Sequence, residues 1–158
     1  MSIKEQEEIK QKAYAEALRY MSNAKDTLQK ARKEDGYYVD KKYVRTACGT
    51  AYNGVLLALD TYLELKDVEM PKKKRRSIEF YTANVAKLDG RLLTELNSAY
   101  NVLHLCGYYD GERNAKIIKT GFDVAYDIIE HIKPNHVVEL PPPSAKPAFL
   151  KALYSIFV

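Results

Sequence analysis

The sequence predicts an all-α, up-down bundle of about five helices, followed by a proline-rich linker and a short C-terminal helix. Three observations predict it. In Tyr43–Leu65 the apolar and small residues Val44, Cys48, Ala51, Tyr52, Val55, Leu59, Tyr62 and Leu63 follow the 3, 4 and 7 steps of one helix face. Glycine is scarce, at seven in 158 residues, and five of the six prolines follow residue 133, so the middle of the chain has few breakers. A composition of 46% hydrophobic and 29% charged residues suits one domain with one core.

The elements follow in order. A first helix is expected from Ile3 to Lys33, with Ile9, Ala13, Ala17, Tyr20, Ala24, Leu28 and Ala31 inward and Asp35-Gly36 ending it. Asp40 is the N-cap of the second helix, which stops near Lys66. Ala47, Gly49, Ala51, Gly54 and Ala58 leave room there for a neighbouring backbone. Ser77 caps a third helix, Ile78–Leu88, and Asp89-Gly90 breaks it. A fourth helix runs from Arg91 to Cys106, and Gly107–Gly111 forms a turn carrying Tyr108 and Tyr109. The fifth runs from Glu112 to Ile132, with Ile118, Phe122, Ala125 and Ile129 inward, and Lys133-Pro134 stops it. Residues 1–133 are thus read as the bundle domain. Residues 134–158 are read as a linker and an apolar segment, Phe149 to Phe157, that docks on the bundle or on a second copy. Ser144 is the cap expected for its short helix.

Net charge is +4, and five positive charges lie in one run, Lys72, Lys73, Lys74, Arg75 and Arg76. Outside that run 20 basic residues face 21 acidic ones, so the body lacks the broad basic face of a general nucleic-acid binder. The first twelve residues are too polar for a signal peptide, and the longest uncharged run, Thr46–Leu59, is shorter than the ~20 residues a bilayer needs. A cytoplasmic protein without membrane contact is expected. Cys48 and Cys106 fall on apolar helix faces and read as free thiols.

No complete chemical motif is present. His131 and His136 are separated by Pro134, no HExxH or cysteine ligand pair occurs, and neither a metal nor another cofactor is implied. Glu130 and Asp127 stand one and four residues before His131, which does not match the Glu-x-x-His of ferritin-like bundles. There is no Gly-x-Ser-x-Gly and no phosphate-binding glycine loop. The tyrosines are many, thirteen, and the pairs Tyr37-Tyr38 and Tyr108-Tyr109 are placed in loops, where they cover the bundle ends or stack on a ligand.

The order of helices and two packing motifs resemble HEPN domains. The first is Ala17-Leu18-Arg19-Tyr20-Met21 continued by Ala24, Leu28 and Ala31, and the second is Ala51–Leu59. The resemblance covers about residues 10 to 133 and implies a bundle of four or five helices, commonly dimeric, of the uncharacterised bacterial kind. Ribonucleases of that family carry an Arg, a polar residue and, four to six positions on, a His. Arg113-Asn114 matches the first half, but no His follows before His131, so the acid/base role has no occupant. Lys116 and Lys119 would bind phosphate without shuttling protons at neutral pH.

The expectation is therefore a non-catalytic binding or interaction module, homodimeric through the fifth helix or the apolar tail. Its binding candidates are Arg113, Asn114, Lys116, Tyr108 and Tyr109, with the basic patch Lys72–Arg76. The alternatives are an RNA-binding protein or atypical HEPN-type ribonuclease, and a partner subunit of a nucleotidyltransferase-like toxin–antitoxin pair.

Overall fold

The computed structural model describes residues 1–72 and 75–136. In chain order it contains α1 (Ile3–Gln29), β1 (Lys33–Glu34), β2 (Tyr37–Tyr38), α2 (Lys41–Leu65), α3 (Ile78–Leu88), α4 (Gly90–Ala99), a π-helical segment (Tyr100–Tyr109) and α5 (Ala115–Glu130). The molecule is an all-α bundle, and the β1–β2 hairpin is its only sheet among the described residues.

Each α-helix begins where a short polar side chain can accept from the unpaired N–H groups of the first turn. Ser2 and Glu5 form a capping box on α1. Asp40, Ser77 and Asp89 accept from the first turns of α2, α3 and α4, and Asn114 does the same for α5.

The core forms around α2, which packs against α1, α5 and the π-helical segment, while α4 packs on α3 and α5. Val44, Cys48, Ala51, Val55, Leu59 and Leu63 of α2 are buried against Ala17, Met21, Leu96, Leu103, Ile118 and Ile129. The small residues of α2 act as expected. A Cβ added at Gly54 would stand 3.1 Å from the Tyr20 Cβ and 3.4 Å from the Ala17 carbonyl oxygen, so α1 lies close at that level. Ile9, assigned to the inner stripe, lies instead at the boundary with 36% of its surface exposed.

Three boundaries differ from the sequence reading. α1 ends at Gln29 rather than Lys33, because Asp35 and Gly36 take φ of +52° and +83° and turn Lys33–Glu34 back onto Tyr37–Tyr38. Tyr37-Tyr38 is therefore a strand, not a loop. α5 starts at Ala115 rather than Glu112, since residues before it are held on the hairpin: Tyr38 N–H donates to the Arg113 carbonyl (2.8 Å) and Ala115 N–H to that of Gly36 (3.0 Å). The expected turn at Gly107–Gly111 is helical through Tyr109, and the chain leaves α-helix earlier, at Tyr100, by widening into π winding.

After α5 the chain is tied to the start of the bundle. The buried Glu7 carboxylate accepts from the backbone N–H of Asn135 (2.8 Å) and of His136 (3.2 Å). The His136 N–H, with that of Asn135, holds this carboxyl below its usual range against the opposing effect of burial. Lys73, Lys74, the proline run, the helix expected after Ser144 and the apolar tail lie outside the described residues. Cys48 is buried and Cys106 half-buried, both as free thiols, and burial pushes the Cys48 thiol up to about 12. Among the described residues no helix is long and apolar enough to cross a membrane.

Candidate functional site

The π-helical segment lays its aromatic side chains along one face of α2. Tyr100, His104 and Tyr108, four residues apart, fall on one side of it. His104 is the hub. Its ring stacks on Tyr52 of α2 at 4.8 Å, on Tyr100 at 5.3 Å and on Tyr108 at 5.8 Å, and Tyr109 meets it edge-on at 4.9 Å. Gly49 allows this arrangement, since Tyr108 Cδ2 lies 3.1 Å from where a Cβ of residue 49 would be. The inner end of the cluster is buried at Tyr52, while Tyr108 and Tyr109 are 46% and 59% exposed. Desolvation among the rings lowers the His104 pKa, favouring the neutral imidazole.

These rings form one wall of a groove of about 600 Å³, within the usual range of small-molecule sites. Asp60, Arg76 and Tyr81 close its other end. The Asp60 carboxylate accepts from Arg76 Nη1 at 3.1 Å and from the Tyr81 hydroxyl at 2.7 Å. Burial raises the Asp60 pKa, and Tyr81 and Arg76 oppose that shift. Arg76 Nε is buried and has no hydrogen-bond partner among the described residues. Arg75, Ser77, Asn53, Leu56 and Ile78 complete the lining.

The residues proposed from sequence separate into two places. Tyr108, Tyr109, Arg75 and Arg76 come together in the groove. Arg113, Asn114 and Lys116 do not line it. Asn114 uses its side-chain oxygen to cap α5, accepting from Lys116 N–H (3.0 Å) and Ile117 N–H (3.4 Å). Arg113 gives its carbonyl to the hairpin and leaves its side chain exposed, and Lys116 is exposed. Lys72 is exposed as well. Sequence reasoning missed Tyr52, Tyr100, His104, Asp60 and Tyr81. The 100, 104, 108 spacing of aromatic rings was the available signal.

Among the described residues no group of three or more His, Cys, Asp or Glu side chains could hold a metal ion. What the groove offers is ring faces, tyrosine hydroxyls and arginine, a set suited to recognition.

Fold and groove together define a small helical domain with an aromatic-walled cleft. Residues 12–134 match the model of a family described as a domain of unknown function, DUF5618, and the chain belongs to that family. It is similar to a solved protein of unknown function from Dyadobacter fermentans, with 44% identity and a TM-score of 0.71, over 77% of this chain and 94% of that one. No curated protein matches it.

Proposed function

We propose that this protein is a non-catalytic, cytoplasmic, HEPN-like binding module whose ligand enters the groove between α2, the start of α3 and the π-helical segment. The observation that carries the reading is the aromatic cluster around His104, facing Arg75 and Arg76 in a single cleft. An exposed ring at the end of a stacked cluster accepts one more planar group, and an arginine nearby accepts an anionic one. His104 contacts rings on several sides and, among the described residues, has no carboxylate to orient it, so it lacks the setting of a general base. The two stretches that carry the HEPN resemblance pack on each other where Tyr20 meets Gly54.

Adenosine 5′-monophosphate is a suitable probe, since it joins a planar base to a phosphate. Titration into the full chain, followed by tyrosine ring resonances, is expected to give saturable shifts at Tyr108 and Tyr109. Tyr108→Ala should weaken binding about tenfold, the ~1.4 kcal/mol of one good stacking contact. Absence of any shift at millimolar probe would sink the reading.

RNA binding is the second reading, favoured by the Arg75 and Arg76 positions at the end of the basic run Lys72–Arg76. It predicts that an oligouridine binds at low salt and is released as salt rises.

The proposed homodimer is assigned to the apolar tail rather than to α5. The exposed face of α5 carries Lys116, Lys119, Thr120, Asp123, Asp127 and Glu130, with Ile117 its one large exposed apolar side chain. Light scattering should give a dimer for the full chain and a monomer for a truncation after His136. A full chain that stays monomeric at high concentration would remove the dimer.

A further inference from the structure

A second cavity, of about 320 Å³, shares no residue with the groove. It lies where the β1–β2 hairpin folds back on the end of α1. Lys25, Leu28 and Gln29 of α1 line it with Arg32, Lys33 of β1 and Tyr38 of β2. The backbone fixes this corner. Val39 N–H donates to the carbonyls of Ala31 (3.2 Å) and Arg32 (3.0 Å), and Arg32 takes a φ of +55° between helix and strand.

The chemistry of the cavity is one-sided. Lys25, Arg32 and Lys33 line it and no acid does. Among the described residues Arg32 and Lys33 meet no carboxylate, and Lys25 sits over the Tyr126 ring at 4.7 Å rather than beside an acid. Like charges around one cavity repel each other and focus a positive potential into it. A second, independent sign of a ligand comes from Tyr38. Its side chain is only 8% exposed and lines the cavity, and its hydroxyl has no hydrogen-bond partner among the described residues. A buried hydroxyl is ordinarily paired. Burial, with a smaller effect from Cys48, raises the Tyr38 pKa, so the hydroxyl keeps its proton and remains a donor.

We propose that this cavity is a binding site for a small phosphate monoester. The phosphate dianion accepts from the Arg32 fork, the Lys25 and Lys33 ammonium groups and the Tyr38 hydroxyl, and Leu28 supplies an apolar contact for the carbon part of the ester. The volume is at the small end of the range for such sites and suits a compact ligand. Asp26 and Glu34, each exposed and next in sequence to a lining lysine, repel a longer polyanion such as a nucleic-acid strand. The left-handed φ at Arg32 suits glycine better, so arginine stands there at a backbone cost.

The test titrates glycerol 3-phosphate, which has no ring to enter the aromatic groove, into the full chain, with glycerol as the uncharged control. Saturable shifts are expected at Arg32, Lys33 and the Tyr38 ring, while Tyr108 and Tyr109 stay in place, which keeps the result separate from that of the groove. Arg32→Gly fits the φ of +55° and removes the guanidinium. It should keep the wild-type circular dichroism spectrum and bind about tenfold more weakly, as for one lost charge-assisted contact. Lys33→Ala, at an exposed strand position, and Tyr38→Phe should each weaken binding about threefold. Lys4→Ala removes the same charge near the opposite end of α1 and should bind as the wild type does. No saturable shift at tens of millimolar probe, or equal affinities of Arg32→Gly and wild type, overturns the proposal. Equal weakening by Lys4→Ala makes the attraction one of net charge alone and overturns it too. Shifts at Tyr108 and Tyr109 with none at Tyr38 place the phosphate in the groove instead. An oligouridine that moves the Arg32 and Tyr38 resonances at lower concentration than glycerol 3-phosphate assigns the cavity to nucleic acid, and either result overturns the proposal.

Discussion

Replacing Gly107 by alanine is expected to destabilise the protein by about 1–3 kcal/mol, the range for forcing a methyl group into a packed interior. Gly107 is buried in the π-helical segment at its contact with α2. An added Cβ would stand 2.4 Å from Cys48 Sγ and 2.6 Å from Cys48 Cβ, closer than nonbonded atoms approach. Cys48 has no surface exposed and lies in the middle of the longest stretch of core, so it has nowhere to turn. The two elements must separate, although alanine alone would favour helix by ~1 kcal/mol. The site should feel the separation, because Tyr108 follows directly and leans on Gly49 one residue from Cys48. Chemical denaturation followed by circular dichroism measures the loss. Cys48→Ala in the Gly107→Ala background should restore part of it, since the sulfur contact goes and the Cβ contact remains. Gly90→Ala is the control, with nothing within 4 Å of the added methyl, and should cost nothing. A Gly107→Ala protein as stable as the Gly90→Ala protein would refute the close contact.

The difference between those two glycines shows what could be read in advance. Periodicity reports which face of a helix turns inward, so the α2 stripe, the caps at Asp40 and Ser77 and the inner residues of α5 were legible. It does not report partners. That Gly49 receives Tyr108 while Gly54 receives α1 depends on the crossing of helices distant in sequence. The hairpin was missed because Asp35-Gly36 is both a helix stop and a hairpin turn, and a two-residue strand has no alternation to detect. The π winding at Tyr100–Tyr109 leaves no recognisable pattern either, since it shifts the ladder by one residue without any breaker. The same limit applied to the site. Tyr108 and Tyr109 were visible as an exposed aromatic pair, but Tyr52, the ring on which the His104 stack rests, comes from α2, distant in sequence. Arg113 and Asn114 stood out through a motif, and the structure gives Asn114 a capping task that any helix start can require.

The second large effect is expected at Asp60. Asp60→Ala should lose about 2 kcal/mol, because it leaves a mostly buried guanidinium and a buried hydroxyl without their acceptor. Tyr81 is 3% exposed, and its hydroxyl is 2.7 Å from Asp60 Oδ1. Arg76 is mostly covered, pairs with Oδ2 at 3.1 Å and already has an unpaired Nε, so it can ill afford to lose the carboxylate. Partial exposure of both charges keeps the effect below that of a fully buried pair. Asp60→Asn keeps the volume and one acceptor and should lose about half as much, as should Tyr81→Phe, which leaves the ion pair intact. The pH dependence separates charge from shape. Burial raises the Asp60 pKa in the folded protein above its unfolded value, so the folded state keeps a proton that the unfolded chain releases. Stability from this group is therefore greatest at low pH and falls as pH rises from the ordinary aspartate range through the folded pKa. Asp60→Asn does not titrate and should flatten that decline, while Tyr81→Phe should steepen it, because the Tyr81 hydroxyl holds the folded pKa down. Denaturation midpoints of the three variants between pH 4 and pH 8 measure both effects. If Asp60→Ala matches the wild type within ~0.5 kcal/mol, the ordinary spread of surface substitutions, the carboxylate does not close the groove.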